Sequence, residues 1–203
     1  MARQPPTLRG DLVTLSPLAM GDLDGLVAAA TDGRLWELTC TSVPAPEAMA
    51  AEMERRLALQ DAGSMLPFTT RRRDTGAIIG MTTYMHIEEH HRRLEIGSTW
   101  IAASAQRTGV NTESKLLLLT HAFAELDQLA VEFRTHWLNR QSRLAIERLG
   151  AKLDGILRQH MVMADGSVRD TAVYSIVAAE WPAVRGELQR RLAGGSGSAG
   201  GRA

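Results

Sequence analysis

Apolar and polar positions alternate over residues 11–18, a strand signal. The period then lengthens over 20–30, where Leu23, Leu26 and Val27 share one helical face. A loop with Pro44 and Pro46 leads into a second helical pattern over 47–60. Three strand-like runs follow, 66–73, 77–87 and 93–101, the first two joined by the hairpin signal Asp74-Thr75-Gly76. A helix is expected from near Val110 toward Leu126, then a strand over 131–138. The next helix, over 140–149, ends at Gly150 in the manner of a C′ glycine. Runs 155–163 and 168–177 predict a hairpin about Ala164-Asp165-Gly166-Ser167, and a last helix covers 180–192 with Pro182 in its first turn. The order β-α-α-β-β-β-α-β-α-β-β-α shows no internal repeat and predicts a mixed α/β sheet with helices on both faces.

At 203 residues the chain is long enough for one domain with a sizeable core. Residues 1–7 read as an N-terminal extension, 8–192 as the domain and 193–203 as a flexible Gly/Ser tail. The 23 basic and 23 acidic residues balance, so no overall pull toward nucleic acid or membrane is expected. The lone cysteine, Cys40, excludes a disulfide framework and fits a reducing compartment. No apolar run approaches the ~20 residues of a membrane span, and the start is polar. A cytoplasmic protein is the expectation.

The segment Gln106-Arg107-Thr108-Gly109-Val110-Asn111 lies between a strand and a long helix. The first N–H groups of that helix lack internal partners and sit at the positive end of its dipole, which makes an anion site. A diphosphate fits there, and Gly109 would let the backbone approach it closely.

The element order and this loop resemble the GNAT superfamily of acetyl-CoA-dependent N-acetyltransferases, over roughly residues 8–192. The family's diphosphate loop reads Q/R-x-x-G-x-G/A. Gln106, Gly109 and Asn111 take its marked positions, Asn111 departing from the usual small residue by a side chain that narrows the cradle or caps the helix. A closer resemblance is to the branch of ribosomal-protein N-terminal acetyltransferases. It rests on Glu95-Ile96-Gly97, on Asn111-Thr112-Glu113-Ser114, and on the spaced set Asn139, Ser142, Gly150 and Ala151. Gly155-Ile156-Leu157-Arg158 and Arg169-Asp170 ahead of Tyr174-Ser175 extend it.

The resemblance implies a GNAT fold: a mixed, mostly antiparallel sheet of about seven strands, splayed between the fourth and fifth. Acetyl-CoA would be held by the 106–111 loop (Gln106, Arg107, Thr108, Gly109, Val110, Asn111). Backbone groups of Trp100 and Ile101, and Asn139 with Ser142 at the mouth of the splay, would complete its site. Glu95 is the implied general base; the alternative is a strand-edge charge paired with Arg92 or Arg93. An α-amine titrates near ~8 and a lysine near ~10.4, so an N-terminal acceptor asks less of a weak base. Ser142 takes the position beside the leaving thiolate, and serine is equally at home in a helix first turn. Trp36 and Tyr84 would shape the acceptor pocket, or Trp36 simply packs on the sheet.

The implied activity is acetyl transfer to a primary amine, a protein N-terminal α-amine first. The alternatives are a small-molecule amine (amino acid, polyamine or antibiotic) and a catalytically silent CoA-binding module. A homodimer belongs to the resemblance, though the sequence shows no surface for one. His86, His90 and His91 with Glu88 and Glu89 match no metal spacing and read as a solvated hairpin tip, so no metal is expected. His121 and His136 read as structural, with His136 a candidate for the substrate cleft. Arg71-Arg72-Arg73 reads as a solvated strand end, with CoA phosphate attraction as the other reading. Cys40 reads as a structural or substrate-wall residue.

Overall fold

The structure is a computed structural model that describes residues 4–38, 43–163 and 165–196. Cys40 lies outside the described residues, as does the turn residue Ala164. Eight strands form one sheet: β1 (Leu8–Arg9), β2 (Val13–Pro17), β3 (Met65–Arg72), β4 (Ile78–Glu88), β5 (Arg93–Ile101), β6 (Ala130–His136), β7 (Lys152–Val162) and β8 (Val168–Val177). Their spatial order is β1-β2-β3-β4-β5-β6-β8-β7. Every neighbouring pair is antiparallel except β5 and β6. The strand beyond the expected seven is β1, two residues long and too short to show a period in the sequence.

Five α-helices accompany the sheet: α1 (Leu23–Thr31), α2 (Met49–Asp61), α3 (Val110–Thr120), α4 (Arg140–Arg148) and α5 (Trp181–Ser196). Two differ from the sequence reading. The α-helical hydrogen bonding of α3 stops at Thr120 and gives way to one π-helical turn, His121–Glu125. The buried Tyr84 hydroxyl donates to the Leu118 carbonyl at 2.6 Å just before it. At the C-terminus α5 continues through Gly194 to Ser196, into what reads as tail, because nothing in a glycine forbids continuing a helix already nucleated. Gly150, at φ +94, ends the run of α4 as expected.

Strand alternation sorts side chains to two cores. Leu94 and Ile96 of β5, Val131 and Phe133 of β6 and Tyr84 of β4 pack with Leu118, Leu119, Ile146 and Leu188, under α3, α4 and α5. On the other face Val13, Met81 and Trp100 pack with Leu26, Ala30, Met49 and Met53 of α1 and α2. The sheet is thus covered on both sides, but α1 and α2 pack against β3 and β4 and leave β6 beyond them.

The long-range tie of greatest consequence is Glu113, in the first turn of α3. Its buried carboxylate accepts from the backbone N–H of Asp11 at 2.9 Å and of Leu12 and Val13 at 2.7 Å. Three such bonds satisfy the turn between β1 and β2 and need a residue without a side chain at Gly10, where a Cβ would collide with that carboxylate.

Candidate active site

Parallel pairing of β5 with β6 covers three positions only, Arg93↔Ala130, Leu94↔Val131 and Glu95↔Glu132. Beyond Glu95 the two strands have no pairing, although β5 runs on to Ile101 and β6 to His136. Because Leu94 and Ile96 face the α3 side, Glu95 and Gly97 face the other, as do Glu132, Arg134 and His136 of β6.

Glu95 is only 5% exposed and stands at the last paired position. Its Oε2 lies 2.8 Å from His86 Nδ1 and 3.6 Å from Arg134 Nε. Burial raises its carboxyl above the ordinary carboxylate range, against the opposing pull of His86 and Arg134. The neighbouring Glu132 is held by Arg93 and by Arg134, the latter at 2.9 Å. Burial would raise the Glu132 carboxyl, but those two arginines outweigh it and hold it low. Arg93 is therefore committed to Glu132, and Arg92 to Asp127 at 2.5 Å. Neither makes the strand-edge pair with Glu95 that the sequence allowed.

The arrangement leaves no room at Gly97. A Cβ there would stand 2.6 Å from Glu95 Oε1 and 2.7 Å from Met85 Sδ. Behind it, Arg56 of α2 is buried, donates to Thr83 Oγ1 at 2.8 Å and pairs with Glu52 at 2.8 Å. Thr83 is the register partner of Gly97, so this pair underlies the same spot from the α2 side.

The loop before α3 is closed by its own side chains. Gln106 Nε2 donates to the Ile101 carbonyl at 2.9 Å, and Thr108 Oγ1 donates to the Ala105 carbonyl at 2.7 Å. Arg107 takes a left-handed φ of +60, stays exposed and makes no ion pair among the described residues. The backbone N–H groups of Gly109, Asn111 and Thr112 find no protein acceptor among the described residues. Val110, the first residue of α3, is buried in the core beneath the loop. Gly109 has ordinary helical angles, so conformation does not require it; a Cβ would meet Leu12 Cδ1 at 2.7 Å and Leu192 Cδ2 at 3.4 Å. Gly109 is also the residue at the cap, so Asn111 does not cap α3. The Asn111 Oδ1 is buried without a partner among the described residues. The two ends of an amide are interchangeable by a half-turn, which would turn an NH2 donor to the same place. Free N–H groups and the exposed Arg107, without an ion pair among the described residues, fit an anionic diphosphate. Of the backbone groups offered by β5, the Trp100 carbonyl closes on Gly80 and the Ile101 carbonyl is taken by Gln106.

Asn139 caps α4, its Oδ1 accepting from the Ser142 N–H at 2.9 Å. The Ser142 hydroxyl makes no protein hydrogen bond among the described residues. Just before them His136, Trp137 and Leu138 line a cleft of about 300 Å3 with Arg158, Gln159 and Asp170 from the β7–β8 hairpin. Arg143 stacks 3.6 Å over the Trp137 ring. Trp36, half-buried, sits in the 3-10 turn Leu35–Glu37.

One expectation is overturned. Tyr84 does not shape an acceptor pocket: it is fully buried on the α3 side, edge-on to Phe68, and its hydroxyl is committed to Leu118 and His121. Its register partner is Ile96, which fixes it on the face opposite Glu95. The residues missed by the sequence reading are His86, Glu132 and Arg134, whose convergence depends on the β5–β6 register and on an irregularity in β4.

A family model described as acetyltransferase (GNAT) domain matches residues 13–152. Over 106 residues the chain is 31% identical to the Bacillus subtilis (strain 168) protein named "Putative ribosomal N-acetyltransferase YdaF". That match takes in 52% of this chain and 57% of YdaF, less than two thirds of the relative's length. A GCN5-related N-acetyltransferase from Brucella melitensis has a TM-score of 0.84 at 28% identity, over 95% of this chain and 87% of that one. Mycobacterium smegmatis RimJ, solved in complex with CoA-disulfide, shares the fold with a TM-score of 0.74 at 24% identity, over 94% of each chain. With an acetyltransferase (GNAT) domain matched over residues 13–152, more than half of its length, the chain belongs to the GNAT acetyltransferases.

Proposed function

We propose that the protein is an acetyl-CoA-dependent N-acetyltransferase whose acceptor is a protein N-terminal α-amine. The observation that carries the reading is Glu95: a buried carboxyl raised by its surroundings, at the point where β5 and β6 part, and bonded to an exposed histidine. The ribosomal name of the 31% identical relative supports the acceptor.

Acetyl-CoA supplies an acyl group already activated as a thioester. The free N–H groups at the start of α3, with Arg107 and the Asn111 amide, hold its diphosphate. Gln106 and Thr108 keep that loop in shape. Glu95 takes a proton from the acceptor ammonium, directly or through a water, and a raised carboxyl pKa narrows the gap to an α-amine. His86, with its side chain 56% exposed, passes that proton on to solvent. Arg134 keeps Glu95 oriented while sharing its charge with Glu132. The Ser142 hydroxyl hydrogen-bonds the departing thiolate. Trp36 lines the acceptor side.

The test is thiol release from acetyl-CoA with peptides bearing free N-termini, set against polyamines, amino acids and aminoglycosides. Turnover of peptides supports the reading. Turnover of small amines alone would move the acceptor to that class, and CoA binding without thiol release would leave a silent module.

A further inference from the structure

The chain has two lysines among its 23 basic residues, and one of them is in the interior. Lys115 of α3 is 5% exposed, and its Nζ donates to Thr99 Oγ1 at 2.6 Å and to Thr82 Oγ1 at 3.2 Å. The two hydroxyls are themselves 2.7 Å apart. No carboxylate pairs with Lys115 among the described residues, whereas Arg56, the other buried cation, has Glu52. An amine without a counter-charge is expensive to bury, and a methionine of similar volume would fill the place at less cost.

The three side chains meet at a break in the sheet. Between the register pairs Met81↔Trp100 and Thr83↔Gly97, β4 contributes only Thr82 while β5 contributes Ser98 and Thr99. β5 therefore bulges. Ser98 is driven to φ +47, a region costly for any residue with a side chain and kept only where neighbours over-determine it. Ser98 and Thr99 are exposed and belong to the part of β5 that has no partner in β6. The bulge thus stands between Glu95 and the diphosphate loop, on the line an acyl-CoA must take from one to the other. Lys115 bridges the two strands from below at this break, through side-chain hydrogen bonds to Thr99 of β5 and Thr82 of β4.

We infer that Lys115 is a positioning residue: by tying Thr99 to Thr82 it fixes the β5 bulge, and with it the backbone groups that meet the thioester. The inference rests on the acyl-transfer reading of the site. Its consequence is that Lys115 serves turnover rather than folding. Burial holds the amine down to about 7, so a neutral amine donating to two hydroxyls is within easy reach at ordinary pH.

The test compares the wild type with K115M, T99V and T99S by amide hydrogen exchange of the ligand-free protein, CoA affinity and steady-state kinetics. K115M and T99V should fold, bind CoA as before and exchange the amides of residues 97–100 about tenfold faster. In K115M, kcat should fall about 100-fold with little change in KM, the penalty for a slightly misplaced acyl group. T99S, which keeps the hydroxyl, should restore slow exchange. Unchanged exchange in K115M, or an unchanged kcat, would overturn the inference. A wild type that releases no thiol would sink the acyl-transfer reading, and exchange would still decide whether Lys115 holds the bulge.

Discussion

His86 reaches Glu95, at 2.8 Å, because β4 bulges opposite it. Between the pairs Met85↔Glu95 and Glu88↔Arg93, His86 and Ile87 of β4 face the single residue Leu94 of β5. The extra residue forces His86 to φ +48 and re-aims its ring along the sheet toward the carboxylate.

With Glu95 as the proposed base, that contact should set the acid side of the rate profile. His86 and Arg134 both hold Glu95 below where burial alone would put it. In H86A the carboxyl should rise further, so the acid limb of kcat/KM moves to higher pH. E95Q should lose kcat by about 10²–10⁴-fold and flatten that limb. A limb that stays in place in both variants would remove Glu95 as the base.

Gly109 should prove to be a packing glycine. G109A brings a Cβ against Leu12 and Leu192, an overpacking that costs about 1–3 kcal/mol. The double variant L12A/G109A should recover part of the Tm and all of the CoA affinity. If affinity stayed low after Tm recovered, the glycine would belong to the ligand instead.

Asn139 caps α4, and a pair of substitutions separates that role from the proposed contact with CoA. N139A should lower stability by about 1 kcal/mol through loss of the α4 cap, while N139D, an equally good cap, should not. Both should weaken CoA binding, N139D more because a carboxylate repels the phosphates. Equal CoA affinity in all three proteins would confine Asn139 to capping.

Lys115 makes stability depend on pH in a set direction. Its folded pKa of about 7 lies below its ordinary 10.5, so across that window the unfolded chain binds the proton that the folded chain refuses. Stability should rise with pH from about 7 toward 10.5 and be lost as pH falls through about 7. The difference between wild type and K115M in denaturant titrations should show this slope, steepest above pH 7. Parallel curves would mean that the amine is not held neutral.

How far the residues announce this structure differs by element. The long strands, the hairpin at Asp74-Thr75-Gly76 and the stop at Gly150 follow from period and turn chemistry, and all stand in the structure. Glu95 and the 106–111 loop are legible through spaced motifs. His86 is not, because a bulge changes which way a side chain points without changing the sequence pattern around it. Tyr84 misleads for a related reason: an aromatic near the glutamate in sequence lies on the other face once the register pairs it with Ile96. Arg134 and Glu132 stay hidden because their meaning comes from a parallel pairing with residues about 40 positions away.

Glu113 ties the β1–β2 ribbon to the proposed ligand site. Its carboxylate holds three amides some hundred residues upstream, from the first turn of the helix whose free N–H groups are proposed to hold the diphosphate. Ordering at one end is therefore felt at the other: a bound diphosphate should quiet the β1–β2 ribbon, and trimming that ribbon should loosen the helix start. The two segments form one thermodynamic unit, so a chain begun after Val13 would lose affinity for a ligand that touches none of the missing residues.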